Sequence, residues 1–307
     1  MGKISTIKKL LHGDKRQILI ACYNNIVHTG LTNILSDKAY LKLTYRIRFG
    51  EKLDLNNPVS YNQKLQWLKL YDRNSNYIKM VDKIAVKDYV KNIIGEQYII
   101  PTIGVWEKFD DIDFDSMPNQ FVLKCNHDSG SVVVCKNKEK LDIIKAKKKL
   151  SKALKTDAFY WGREWPYKMV ERKILAEKYM EDSYSKELKD YKFMCFNGKV
   201  KCSFVGSERF SNDGLKITFF DREWNVMPFE RHYPKSLKEI KKPENYEEMI
   251  KLAEKLSDGI PFVRVDFYEV SGKIYFGELT FFPGSGWEEF RPREWDDKMG
   301  NWIKIKY

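Results

Sequence analysis

The sequence predicts an α+β protein built on antiparallel sheets. Residues 1–80 carry helix signals almost throughout. Two runs of β-forming residues are split by short turn dipeptides, Asn197-Gly198 and Ser271-Gly272, which is how hairpins are written in a chain. The order of helices first, then mixed helices and hairpins, fits α+β rather than a doubly wound parallel sheet.

The elements follow in order. Lys38–Arg48 has mixed apolar periodicity. Asn57-Pro58 and Ser60 open a helix with Leu65, Leu68 and Trp67 as its buried stripe. Asp82–Tyr89 continues as a helix that Gly95 ends, and Tyr98–Pro101 reads as a short strand end. Phe121–Cys125 is a buried strand, Asn126–Gly130 a turn, and Ser131–Cys135 a second strand. Leu141–Leu154 is a basic amphipathic helix, and Lys173–Ala176 a short strand. Tyr191–Phe196 and Lys199–Val205 flank Asn197-Gly198 as a hairpin, and Ile217–Phe220 adds a strand. Tyr246–Leu256 is a helix, and a last hairpin runs from Pro261–Tyr268 to Lys273–Thr280.

That last hairpin holds the most chemistry. It places Asp266 and Glu278 twelve positions apart, with Arg264 two residues before the first acid. Buried carboxylates are costly unless a cation neutralises them. Two acids beside an arginine suit a site that handles Mg²⁺ and polyphosphate. A three-residue loop at Ser271–Lys273 pairs Val270 with Ile274 and sets Asp266 opposite Glu278, with Arg264 on the same face. A two-residue loop shifts the register by one and separates the acids. An ordinary amphipathic hairpin with solvated acids is an equally open reading.

Two further segments point the same way. Lys124 ends a buried strand and leads into Asn126-His127-Asp128-Ser129-Gly130-Ser131. Small residues there let backbone N–H groups approach phosphate oxygens, as in a hairpin flap. No GxxxxGK[ST] loop is present. Leu175–Met180 is an apolar strand running into a polar connector, where Glu177, Lys178, Tyr179 and Met180 could read an adenine edge.

Composition narrows the classes. The 307 residues can bury a large core, and 43% hydrophobic content is ordinary for a globular chain. Cys22, Cys125, Cys135, Cys195 and Cys202 show no CxxC, and there is no HExxH, so a zinc enzyme is disfavoured. No signal peptide or transmembrane run is found, which places the chain in the cytoplasm. The net charge is +12, and residues 1–50 hold nine Lys/Arg against two Asp. Such a region suits an anionic membrane face or an acidic polymer, and equally a role only in solubility, while no nucleic-acid module is visible.

Taken in order, Asp82-Lys83, Lys124 with its Ser-Gly-Ser flap, Glu177–Met180, Arg264-x-Asp266 and Glu278-x-Thr280 with Pro283-Gly284 resemble the ATP-grasp superfamily. Tyr191-Lys192-Phe193, Phe196-Asn197-Gly198-Lys199 and Gly277–Phe281 resemble its TupA-like branch, linked to teichuronopeptide and surface-polysaccharide synthesis. The resemblance implies two α+β lobes with antiparallel sheets clasping ATP, preceded by a mostly helical region. It divides the chain into a basic helical region (1–80), an N-terminal lobe with the flap (81–175) and a C-terminal lobe with the Mg²⁺ site (176–307).

It implies that Lys83 and Lys124 hold phosphates, Ser129, Gly130 and Ser131 form the flap, and Glu177, Lys178, Tyr179 and Met180 read adenine. Lys192 is a further phosphate contact, Asp266, Glu278 and Thr280 are metal ligands, and Arg264 steadies the transferring phosphoryl group. Thr280 stands where many relatives carry asparagine, and the helical N-terminal region replaces the usual α/β domain.

The implied activity is a carboxylate–amine ligase that uses ATP and Mg²⁺ to join an amine or amino acid to a uronic acid of a surface glycan. The rival readings are a glycosyltransferase, seeded by Asp113-Phe114-Asp115, and a non-enzymatic basic binding protein.

Overall fold

The computed structural model describes residues 15–182, 188–208, 211 and 214–306. Lys3, Lys8, Lys9 and Asp14 of the basic N-terminal region lie outside the described residues.

The described residues begin with helices α1 (Lys15–His28), α2 (Asp37–Phe49), α3 (Tyr61–Tyr71), α4 (Asn76–Val81) and α5 (Val86–Ile94). Ser60 starts α3 as the sequence predicts, its hydroxyl accepting the Gln63 N–H at 3.3 Å, while Gln63 accepts the Val59 N–H at 2.8 Å. These two bonds satisfy donors that a helix start leaves open. Helix α5 begins later than Asp82, because the Asp82 carboxylate caps a turn by accepting the Ile84 N–H. Gly95 ends it at φ 110°.

A four-stranded antiparallel sheet follows, in the order β1 (Thr102–Trp106), β4 (Ile174–Lys178), β2 (Phe121–Cys125), β3 (Val133–Cys135). Tyr98 belongs to a short 3-10 turn, and β1 begins only after Pro101. Helix α6 (Ile143–Lys155) is capped by Asp142 and packs Ala146, Leu150 and Ala153 onto Phe121, Leu123, Cys125, Ile174 and Ala176. This layer has a core of its own.

The second sheet has five antiparallel strands in the order β10 (Lys273–Thr280), β9 (Phe262–Val270), β5 (Lys189–Phe196), β6 (Lys199–Ser207), β7 (Lys216–Phe220). Helix α8 (Tyr246–Leu256) covers one face, and the short α7 (Phe159–Gly162) precedes β4. A two-stranded ribbon, β8 (Glu230–Arg231) with β11 (Phe290–Arg291), and α9 (Glu294–Trp302) complete the chain. Residues of α2–α5 share one continuous core with this sheet, with Tyr61 stacked edge-on against Phe262 and Phe290. No helix among the described residues is long and apolar enough to cross a membrane.

The β9–β10 hairpin corrects one expectation. Its turn is two residues, with Val270 opposite Lys273 and positive φ at both Ser271 (50°) and Gly272 (74°). The extra residue sits instead at a β-bulge at Gly277, between the Phe276–Phe267 and Glu278–Asp266 pairs. A bulge places two residues opposite one and so resets the register. Asp266 and Glu278 therefore do face each other, for a different reason than the loop length predicted.

Candidate active site

Two charged clusters face the region between the sheets, and the first of them lines a narrow crevice. The crevice is bounded by Lys83, Lys87, Lys124 and Glu177 on one side and by Phe276 and Gly277 on the other. Gly277 keeps this spot uncrowded: a Cβ would stand 3.1 Å from the Asp266 carbonyl oxygen and 3.2 Å from the Tyr268 ring.

The first cluster sits on the four-stranded sheet. Lys124 on β2 and Glu177 on β4 point to the same face of adjacent strands, and their side chains meet at 2.5 Å. Lys87, at the start of α5, reaches Glu177 at 2.7 Å and also donates to the Ile100 carbonyl and the Thr102 hydroxyl. Lys83 Nζ donates to the Asp128 carbonyl, which ties it to the predicted flap. Burial pushes the Lys83 and Lys87 ammonium groups down from their ordinary range, against the pull of nearby acids. Burial would raise the Glu177 carboxyl, but Lys124 and Lys87 outweigh it and hold it below the usual range. Three lysines around one carboxylate leave an excess of positive charge, which is what a polyphosphate would meet.

In the flap, Ser129 and Gly130 are exposed, and Gly130 has φ 112° with open space where a Cβ would stand. Ser131 is buried and structural: its hydroxyl accepts the Cys125 N–H at 3.0 Å and donates to Asp128. In the connector, Lys178 donates its N–H to the Pro101 carbonyl at 3.0 Å. The Tyr179 hydroxyl bonds Glu181 at 2.9 Å, and the Tyr179 ring faces the Lys136 ammonium. Met180 is half-buried just beyond.

The second cluster sits on the five-stranded sheet. Arg264 donates to both Asp266 oxygens, Nε and Nη2 each at 2.7 Å, and Nη2 reaches Glu278 at 2.5 Å. Lys192 on β5, directly across from Asp266, donates to the same carboxylate at 2.5 Å and to Asp190. Thr280 donates its hydroxyl to Glu278 at 2.9 Å. Asp266 is 1% exposed, whereas 38% of the Glu278 side chain is open, so Glu278 is the carboxylate at the mouth. Burial lifts Asp266 to about 6 despite Arg264 and Lys192. Burial would also raise Glu278, but Arg264, Lys192 and Lys83 bring it down to about 2. Lys83 thus acts on Glu278 across the crevice, which brings the two clusters into one electrostatic unit.

Sequence reasoning missed four residues. Lys87 lies four positions after Lys83, and Asp190 lies two before Lys192 on the same strand face; period counting could have found both. The Tyr268 hydroxyl is pushed far up by burial and by Asp190, Glu278 and Asp266. Tyr167 is likewise pushed up by burial and by Glu164 and Glu278. Nothing local in the sequence marks either tyrosine.

Among the described residues no group of three or more His, Cys, Asp or Glu side chains forms a metal cage. Two carboxylates are still a fitting donor set for Mg²⁺, which typically takes one or two carboxylates plus phosphate oxygens and water. Arg264 bonds both and Lys192 bonds Asp266, so a metal would have to share or displace these cations.

Lys83, Lys87 and Lys124 thus stand by one antiparallel sheet, and the paired acids Asp266 and Glu278 on another. The chain matches the TupA-like ATPgrasp family over residues 63–304, and it belongs to that family. Among solved structures it is similar to an ATP complex of D-alanine–D-alanine ligase from Bacillus anthracis (16% identity, 67% of this chain, 55% of that one, TM-score 0.39). It is also similar to D-alanyl-alanine synthetase A from Vibrio cholerae (13% identity, 73% and 59%, TM-score 0.42). A third is an ADP complex of N5-carboxyaminoimidazole ribonucleotide synthetase (16% identity, 80% and 58%, TM-score 0.43). The chain spans little more than half the length of these proteins. No curated protein matches the sequence.

Proposed function

We propose that this protein is an ATP-dependent carboxylate–amine ligase acting on a carboxylate-bearing sugar, in keeping with the polysaccharide-linked branch it resembles. The observation that carries the reading is the electrostatic link between two clusters: Lys83, beside Lys87 and Lys124, acts on Glu278 of the Arg264–Asp266–Glu278 cluster.

In this reading Lys83, Lys124 and Lys192 bind phosphate oxygens, and the exposed Ser129 and Gly130 close over them, while Ser131, expected in the flap, serves as its buried anchor. The N–H groups of Tyr179 and Met180, which have no backbone partner among the described residues, suit the adenine edge. Asp266 and Glu278 would hold Mg²⁺, which when bound neutralises charge on the transferring phosphoryl group. Thr280, bonded to Glu278, orients that carboxylate or joins the ligand set.

The substrate carboxylate attacks the γ-phosphorus, ADP leaves, and an acyl phosphate results. The amine nitrogen then attacks the acyl carbon, inorganic phosphate leaves, and the amine gives up a proton as the amide forms. Arg264 supplies fixed positive charge beside both steps, and flap closure keeps water from the acyl phosphate. Contact of the basic N-terminal region with an anionic glycan or the inner membrane face belongs to the same proposal.

Calorimetric titration of ATP with and without Mg²⁺, on wild type and on Asp266→Asn/Glu278→Gln, tests it. Mg²⁺-dependent binding that is lost in the double variant supports the reading. A well-folded wild type that binds no ATP, with or without uronic acids present, overturns it. The transferase alternative is not favoured, because Asp113 is occupied locally: its carboxylate accepts the Asp115 N–H and shapes an exposed turn.

A further inference from the structure

A second concentration of positive charge lies on the far side of the loop that follows the Glu278–Thr280 strand end. This loop, Pro283–Trp287, packs against the N-terminal helices. Lys69 on α3 is fully buried and donates to the Ser285 carbonyl at 2.7 Å and to Gln66 at 2.9 Å. Its ammonium stands 4.7 Å from the centre of the Trp287 ring. Arg48, in the last turn of α2, lies 5.9 Å from the same ring. Lys69 has the Glu164 carboxylate as a nearby counter-charge.

Arg48 has none. Its described hydrogen bond goes from Nη2 to the neutral Asn24 side chain at 2.8 Å, and no acid among the described residues lies within ion-pair distance. The groups that act on it are the hydroxyls of Tyr40 and Tyr23. Its Nε is buried without a partner, and so is the indole Nε1 of Trp287. The C-terminal end of α2 favours a cation there, but a helix dipole leaves the Nε–H unsatisfied. Enclosed charges are normally paired and enclosed donors bonded. Here a half-buried guanidinium without an acid and an orphan indole N–H stand at one ring.

We propose that Arg48 and Trp287 form a subsite for an oxyanion group of the substrate, a carboxylate or a phosphate, with Arg48 Nε and Trp287 Nε1 as donors and Lys69 fixing the loop beneath. The inference rests on the ligase reading for the oxyanion being a substrate group, but the anion binding stands on its own geometry. It gives the helical region that replaces the usual N-terminal domain a role in holding the acceptor.

The test is the indole N–H resonance of Trp287 in the full-length protein labelled with ¹⁵N-tryptophan, assigned by its loss in Trp287→Phe. Glucuronate, inorganic phosphate and neutral glucose are titrated in turn. The expected result is a saturable shift with glucuronate or phosphate and none with glucose. A response to glucuronate alone identifies a carboxylate site, and one to phosphate alone a phosphate site. Arg48→Lys keeps the charge and removes the Nε donor, and should weaken the anion about tenfold or more. Arg48→Met serves as a second variant if the first is unstable. No shift with either anion, or an undiminished shift in a folded Arg48 variant, overturns the proposal. Calorimetry of ATP on the same samples separates the two ideas: ATP binding without an anion response sinks this subsite alone, and the reverse sinks the ligase reading alone.

Discussion

Glu177→Gln is the most informative single change. The Glu177 side chain is 7% exposed and carries the only carboxylate that Lys124 and Lys87 contact among the described residues. Removing its charge leaves two half-buried ammonium groups facing each other, with Lys83 nearby. Breaking a buried ion pair from one side costs about 3–5 kcal/mol. The Gln amide oxygen can still accept one lysine, which puts the expected loss near ~3 kcal/mol. With an unfolding entropy of about 2.1 cal/mol/K per residue, the 307-residue chain would lose roughly 5 °C in Tm.

The sign with pH is also set. Lys124 and Lys87 hold Glu177 below its unfolded value, so the wild-type advantage is complete above about pH 4.5 and fades as pH falls through the lowered folded value. The deficit should also shrink when ATP is added, because the triphosphate restores the missing negative charge. Scanning calorimetry at pH 7 and pH 4, with and without ATP, measures all three effects. A deficit below about 1 kcal/mol, or one that ATP leaves unchanged, would refute the reasoning.

Other predictions concern separate parts of the molecule. Arg264→Lys loses the bidentate fork on Asp266 and should lower ligase turnover by about a hundredfold or more, read as ADP release, while a charge-only role predicts little change. Gly300→Ala puts a Cβ 2.1 Å from the Val59 carbonyl oxygen, and urea unfolding should show a loss of about 3 kcal/mol or more. Burial lowers Lys69 to about 7, so between pH 7 and about 10 the unfolded chain binds the extra proton and wild type gains stability as pH rises. Lys69→Met should remove that gain, seen as a smaller change in urea midpoint between pH 7 and pH 9 than wild type shows. Asp113→Ala should leave ADP release near wild type, since its carboxylate serves a local turn.

Much of this was legible in the residues. Asn197-Gly198 forms the expected turn, with φ of 49° and 75°, and Tyr246–Leu256 is a helix with the expected ends. Strand β1 was missed because Pro101 and the short, half-exposed Thr102–Trp106 run give a weak alternation signal. The acid pair was readable, but the route to it was not, because a bulge at Gly277 and a longer turn place Asp266 opposite Glu278 equally well. Tyr167, Glu164 and Arg48 could not be read at all. Their meaning comes from neighbours more than a hundred positions away, such as the Ser285 hydroxyl that bonds Glu164 and the Trp287 ring beside Arg48.

The bulge has a consequence for how this hairpin can change length over evolutionary time. Side chains in a strand alternate, so the facing of the two acids depends on whether the spacer between them is odd or even. A relative that loses one residue from this stretch keeps its acids together only by surrendering the bulge, and one that gains a residue must absorb it in the turn. Insertions of two residues at the Ser271-Gly272 tip are free of this constraint. Among homologues, the distance from the first acid to the second should therefore vary in steps of two, or change by one together with the glycine at position 277.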